Sequence, residues 1–299
     1  MASRFGQPNP FLCNDQSAAK LSPHTKIFDM LYLAYGPATL INIAMDEILG
    51  RSLHYKIANQ TLEWFGNDSL ENNQYYKNRR MSDLIEFGWV DKTFTYSFNE
   101  HGFRSETFTD ESSVVFLGAS DTLGTGMPLE ETWTYIVAKE LGLRRYNLGQ
   151  GGGSGSLCFR LASYWLPILK PKVVIYMSPL NTRYELATSH TGETIYHQLS
   201  PSMLYGLSPF WNRFKDKDLM NELTQYYNQW AETEINLTLL ESKNKLAISK
   251  LADNIDAKFA LADGQSDWDD AMCDFARDLI HGGVQTNKNI ANIILDRLS

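Results

Sequence analysis

Several protein classes are excluded by what this chain does not have. Cysteine is scarce: Cys13, Cys158 and Cys273 are the three in 299 residues, and no CxxC or CxxH spacing occurs. An odd, scattered set excludes a zinc ribbon or a disulfide framework and leaves buried thiols as the expectation. Basic runs are missing too. The formal net charge is −8, and the block Lys77-Asn78-Arg79-Arg80 is short enough to be a solvated turn. A nucleic-acid backbone is therefore a poor partner. Long apolar runs are also missing. One uncharged, mostly apolar stretch, Met30 to Met45, lies between Asp29 and Asp46 and is broken by Gly36-Pro37. It is too short to span a bilayer and reads as a buried helical hairpin, so no transmembrane segment is expected. Residues 1–20 are polar, with no apolar core of a signal peptide. A soluble protein, cytoplasmic by default, is the expectation.

What is present is ordinary for a globular chain, with 43% hydrophobic and 21% charged residues. The length suffices for one large core or two smaller ones. Residues 1 to about 25 read as a polar arm, and residues 26–50 have helical periodicity. Residues 51–95 are rich in Tyr, Trp and Asn without a clear period. From Thr93 the texture changes. Short strands are expected at Thr93–Phe98, Val114–Leu117, Arg145–Leu148, Lys172–Met177 and Lys258–Leu261. Helices are expected at Glu130–Leu141, Leu157–Leu169, within Asp218–Leu251 and at Thr286–Leu298. Strands alternating with helices make a parallel sheet, and right-handed crossovers make it a three-layer α/β/α sandwich. The expected organisation is a mainly helical or irregular extension, residues 1–95, and an α/β domain, residues 96–299. A helical insertion or cap is expected at about 200–256.

In such sheets ligands bind beyond the carboxyl ends of the strands. Four segments converge there. Ser120 ends a strand in a turn between Gly118 and Gly124, where a hydroxyl and neighbouring amides face outward. Serine also suits a plain helix N-cap. Asn147 to Gly155 carries five glycines in the seven positions from Gly149, which lets backbone approach a ligand closely. It lacks the Lys of a phosphate loop and the acidic partner of a dinucleotide fold. Asn181 ends the third strand, where its amide can donate to an oxyanion or make an Asx turn. Asp278 and His281 are three apart before Gly282-Gly283, a spacing that lets the carboxylate orient the imidazole. Asp269, Asp270 and Asp274 compete for that role. His101 and His197 are substitutes for His281.

The order of these segments resembles the SGNH hydrolases, or GDSL family, of flavodoxin-like α/β/α esterases. The four blocks resemble Gly118-Ala119-Ser120-Asp121, Asn147 to Gly152, Pro179-Leu180-Asn181-Thr182 and Asp278-Leu279-Ile280-His281. The phrase Asn99-Glu100-His101-Gly102-Phe103-Arg104 resembles a lead-in of some bacterial members. The similarity covers about residues 96–299. It implies Ser120 as nucleophile, His281 as base and Asp278 as its orienter. The Ser120 amide, the Gly152 amide and the Asn181 side chain would form the oxyanion hole. The sequence departs from the family at Ala119, Pro179, Thr182 and Gly282.

The implied activity is hydrolysis of O-acyl esters through an acyl-serine, with short acyl groups such as acetyl, on a small molecule or carbohydrate, as the expected substrates. No metal or cofactor is implied. Two alternatives stand beside it. One is a structural or interaction protein of a virion or cell-envelope complex that keeps the fold and works through residues 1–95. The other is an O-acyltransferase. The aromatic stretch Tyr196 to Phe214 suits either an acyl or sugar pocket or the packing of an insertion.

Overall fold

Val114 to Leu117 is apolar without alternation because both of its faces are covered. It lies in β3 (Ser113–Leu117), whose five residues are all buried. In the computed structural model, which describes residues 49–180, 182–190, 193–199, 221–222, 225–229 and 234–299, β3 is an inner strand of a four-stranded parallel sheet. β4 (Arg144–Asn147) lies on one side and β5 (Val173–Ser178) on the other, with β8 (Lys258–Asp263) beyond β5. Val115 pairs with Tyr146 and with Val174, and Ile175 pairs with Ala260. The order 2-1-3-4 along these strands is the flavodoxin-like arrangement.

Alternate residues of each strand feed opposite cores. Val115, Leu117, Tyr146, Val174 and Tyr176 meet Leu157, Leu161 and Trp165 of α5 (Gly155–Leu169) and Ile248 and Ala252 of α6 (Glu234–Asp253). Val114, Phe116, Ile175 and Met177 meet Trp133 and Val137 of α4 (Trp133–Leu141) and Ile290, Ile294 and Leu298 of α8 (Val284–Leu298). This is the three-layer sandwich expected from the alternation of strand and helix. The helix starts follow their caps. Ser154 accepts the Leu157 amide at 3.2 Å, so α5 begins two residues before the expected Leu157. Gly142, at φ 65°, ends α4 in the left-handed conformation that glycine adopts freely.

Two parts were not foreseen. An antiparallel hairpin, β6 (Tyr184–His190) with β7 (Glu193–Leu199), follows the third sheet strand. It is fastened to α5 by a bidentate pair, Arg160 to Glu185 at 2.9 and 3.0 Å, and by Gln198, which bonds Glu185 at 2.8 Å and accepts the Ser154 amide at 3.1 Å. The second is the segment 49–95, whose pattern had no period. It holds α1 (Leu70–Arg79) and α2 (Met81–Glu86). Its short strand β1 (Thr61–Leu62) pairs with β2 (Tyr96–Ser97), across the expected boundary at residue 95. Leu84 and Trp89 share a small core with Met127, Ala276 and Leu279. The described residues all fall in one compact unit, Asp46–Ser299. The expected helices within 26–50, the arm 1–25, Asn181, the Tyr205, Phe210 and Trp211 part of the aromatic stretch and the part of the expected cap at 200–220, 223–224 and 230–233 lie outside the described residues, while 234–253 of that expected cap is α6, a helix packed on the sheet. No described helix is long and apolar enough to cross a membrane.

Candidate active site

Beyond the carboxyl ends of β3 and β5 lies a cleft of about 260 Å³. Ser120 and His281 both line it, with Asp121, Arg183 and Trp268 among the other walls. Ser120 opens α3 (Ser120–Leu123), a single turn closed by Gly124 at φ 82°. Ala119, not Ser120, occupies the N-cap position, and no side chain caps the turn. The serine is thus not consumed as a cap.

The turn is held from outside itself. A Cβ on Gly118 would overlap Thr122, and one on Gly149 would come within 2.7 Å of the Leu123 amide nitrogen. Asn147, at the end of β4, donates to Thr122 O at 2.7 Å and accepts the Gly149 amide at 2.9 Å. Arg104 donates to the carbonyls of Leu123, Gly124 and Met127 and lies over the Tyr96 ring at 4.4 Å. Asn99 accepts the amides of His101 and Phe103 at 3.1 and 3.0 Å, and Gly102, at φ 75°, runs against the His54 carbonyl. The phrase Asn99 to Arg104 is therefore scaffolding for the serine turn. His101 stacks on Phe108 at 5.5 Å and contacts Trp165, so it belongs to the α5 side and does not line the cleft.

Asp278 and His281 come together as their spacing predicts. Asp278 Oδ2 lies 2.5 Å from His281 Nδ1, and Oδ1 accepts the amides of Ile280 and His281 at 3.2 and 3.1 Å. Leu279, at φ 49°, takes the left-handed conformation that closes this turn. Burial pulls the His281 pKa down, but the Asp278 carboxylate, with a smaller contribution from Asp121, more than offsets it and raises the pKa to about 9. Of the competing acids, Asp274 accepts the Thr286 and Gln285 amides at 2.8 and 2.9 Å, which caps α8. Asp269 bonds Gln265.

The Asp278 turn is braced by the segment that the sequence left without a role. Arg277 donates from Nε to Asp68 Oδ1 at 2.9 Å and from Nη2 to Oδ2 at 2.6 Å. It also bonds Glu63 O and lies between the rings of Trp64 and Phe94 at 4.1 and 3.8 Å. Tyr96 donates to Asp68 at 2.5 Å and accepts the Gly126 amide at 2.8 Å, while Arg277 N–H donates to Gly126 O at 3.1 Å. Trp89 Nε1 reaches Phe275 O at 2.6 Å. None of these partners stands out in sequence, because the pairs are some 200 positions apart.

Of the expected oxyanion donors, Asn181 is outside the described residues. Gly152 sits in the turn after β4, exposed and at φ 74°, and is not a lining residue of the cleft. The amides of Ser120 and Gly152 donate to no carbonyl among the described residues. Sequence reasoning missed Arg183 and Trp268 as cleft residues. Arg183 could have been found from its place two residues after Asn181, whereas Trp268 carries no such signal.

No protein-family model matches the chain, and no curated protein is similar to it. Solved structures similar to it include esterases, acetyl xylan esterases and a GDSL-like lipase. Esterase EstA from Pseudoalteromonas sp. is 13% identical, with 62% of this chain and 96% of that chain covered and a TM-score of 0.33. A GDSL-like lipase from Bacteroides thetaiotaomicron is 13% identical, with 62% and 86% covered and a TM-score of 0.27. The acetyl xylan esterase Est2A from Butyrivibrio proteoclasticus is 13% identical, with 69% and 66% covered and a TM-score of 0.34.

Proposed function

We propose that this protein is a serine ester hydrolase with Ser120 as nucleophile, His281 as general base and Asp278 as orienter of His281. The observation that carries the reading is the shared cleft. A serine that caps nothing and an imidazole held by a buried carboxylate line one small cavity at the ends of parallel strands. Asp278 at Nδ1 fixes the tautomer that leaves Nε2 free.

In this mechanism Ser120 Oγ attacks the ester carbonyl carbon while His281 Nε2 takes the hydroxyl proton. The tetrahedral intermediate expels the alcohol, which receives that proton from His281. Water then attacks the acyl-serine, again with His281 as base, and the free acid departs as Ser120 Oγ regains a proton. The unpaired Ser120 amide is a donor to the oxyanion, and Gly152 and Asn181 are proposed as its companions. Each such donor is worth roughly 3–4 kcal/mol in the transition state. The cleft of about 260 Å³ has room for a short acyl group such as acetyl. Trp268 offers a flat wall for a sugar ring.

Ser120→Ala should abolish turnover of p-nitrophenyl acetate while leaving the circular dichroism spectrum and melting unchanged. A fluorophosphonate should label the intact protein, with mass mapping to Ser120. Turnover that survives in the variant would sink the assignment. Added sugar alcohols that divert the acyl group from water would instead identify a transferase using the same intermediate.

A further inference from the structure

Three of the buried arginines among the described residues are well satisfied, and a fourth, Arg145, keeps two bonds, to Thr134 and the Arg104 carbonyl, while its Nε has no partner. Arg104 serves three carbonyls, Arg160 pairs with Glu185 and two carbonyls, and Arg277 pairs with Asp68 and a third group. Arg183 has one hydrogen bond among the described residues, from Nη1 to Gly153 O at the long distance of 3.5 Å. No described carboxylate lies within ion-pair distance of it. Yet it is largely removed from water, enough for burial to lower its pKa, and it lines the cleft with Ser120 and His281. Asp121, in the same cleft, offsets part of its charge without touching it.

A guanidinium has five donors in a planar fork and remains charged even when its pKa is lowered. Most of that fork faces the cleft without a protein partner, which leaves its donors available to a ligand. The matching acceptor is a planar pair of oxygens sharing one negative charge, which is a carboxylate. Asp121, beside the serine, repels such a group. The carboxylate is placed at Arg183 away from Asp121, with the ester directed towards Ser120.

We infer that Arg183 is a recognition residue for carboxylate-bearing esters, so that the substrates are acyl esters of acidic rather than neutral molecules. The inference rests on the esterase reading for its kinetic form only, since carboxylate binding at Arg183 needs no turnover.

The kinetic test compares 4-acetoxybenzoate with 4-acetoxybenzamide, and a nitrophenyl hemisuccinate with nitrophenyl butyrate. The native protein should favour the anionic member of at least one pair about tenfold or more in kcat/KM. Arg183→Gln should collapse that ratio towards one, chiefly through KM, and Arg183→Lys should restore part of it. No preference in either pair, or a ratio that survives in Arg183→Gln, would overturn the inference. An equal fall in kcat for both members would do the same, since it would make Arg183 an oxyanion donor. The binding test titrates benzoate into Ser120→Ala and follows the fluorescence of the tryptophans, Trp268 being in the cleft. Saturable quenching that is lost in Ser120→Ala/Arg183→Gln supports the site even where no ester is turned over. Its absence in Ser120→Ala refutes the site while leaving the esterase reading standing.

Discussion

Removing the Asp68 carboxylate is the sharpest test of how the Asp278 turn is held. Asp68 and Arg277 are 1% and 2% exposed, so the pair cannot be replaced by water on either side. Asp68→Ala deletes two bonds to Arg277, at 2.9 and 2.6 Å, and the acceptor of the Tyr96 hydroxyl at 2.5 Å. Arg277 keeps Glu63 O and its two ring faces, but its charge is left unpaired. Breaking a buried ion pair on one side costs about 3–5 kcal/mol. The lost tyrosine acceptor adds about 1 kcal/mol. A loss of about 4–6 kcal/mol is a large share of a typical domain's 5–15 kcal/mol, so the variant should be marginal at room temperature. Removing both charges, in Asp68→Leu/Arg277→Met, should recover much of it, because an apolar pair has no desolvated charge to hold. Urea unfolding followed by tryptophan fluorescence measures all three proteins. Asp253→Ala, which breaks a solvent-exposed pair with Lys250, is the control and should not move the midpoint. A loss below about 1 kcal/mol for Asp68→Ala, or a double variant no better than the single, would refute the reasoning.

Two further outcomes follow from buried titrating groups. With His281 held at about 9, the proposed base becomes neutral only in alkali, so kcat/KM should climb until about pH 9 instead of levelling near 6.5. Asp278→Asn leaves burial to dominate and should move that limb below 6.5 while lowering kcat by orders of magnitude, as a pH–rate profile would show. Because the fold favours the imidazolium, the stability it contributes is fully present below pH 6.5 and is lost between 6.5 and about 9. Glu241 has the same sign by another cause. Burial raises its carboxyl from 4.5 to about 7, against the Tyr176 hydroxyl bonded to it at 2.9 Å. Stability should fall as pH rises from 4.5 to 7, and Glu241→Gln should remove that part of the dependence in denaturant titrations.

The sheet was legible because its inner strands β3 and β5 are buried on both faces and read as unbroken apolar runs, with helices of clear period around them. Ser120, Asp278 and His281 were legible because their placement depends on local turns, and a turn is written in three or four consecutive residues. The hairpin at Tyr184–Leu199 was missed because its tie to α5 is the charge pair of Arg160 and Glu185, which leaves no periodic pattern in the sequence. The segment 49–95 was opaque for a similar reason. Its order comes from Trp89 reaching Phe275 and Asp68 reaching Arg277, and neither spacing has a period to detect. Arg183 has ordinary neighbours in sequence, and only the cleft around it makes its unpaired fork notable.

The departure at Ala119 bears on whether the serine turn can be rigid without an acid before the serine. The contacts around α3 argue that it can. Its last carbonyls are gripped by Arg104, Thr122 O is taken by Asn147, and Gly118 and Gly149 let backbone and side chain approach too closely for any larger residue. None of Arg104, Asn147, Gly118 and Gly149 lines the cleft. An acid at 119 is thus not needed for the position of Ser120. The acid that is present, Asp121, lies in the cleft, where it raises the pKa of His281 and balances Arg183. Its own pKa is raised by burial. Moving the acid from one side of the serine to the other therefore exchanges a structural contact for an electrostatic one. The cleft then gains a more basic histidine, while part of the Arg183 charge is balanced by Asp121.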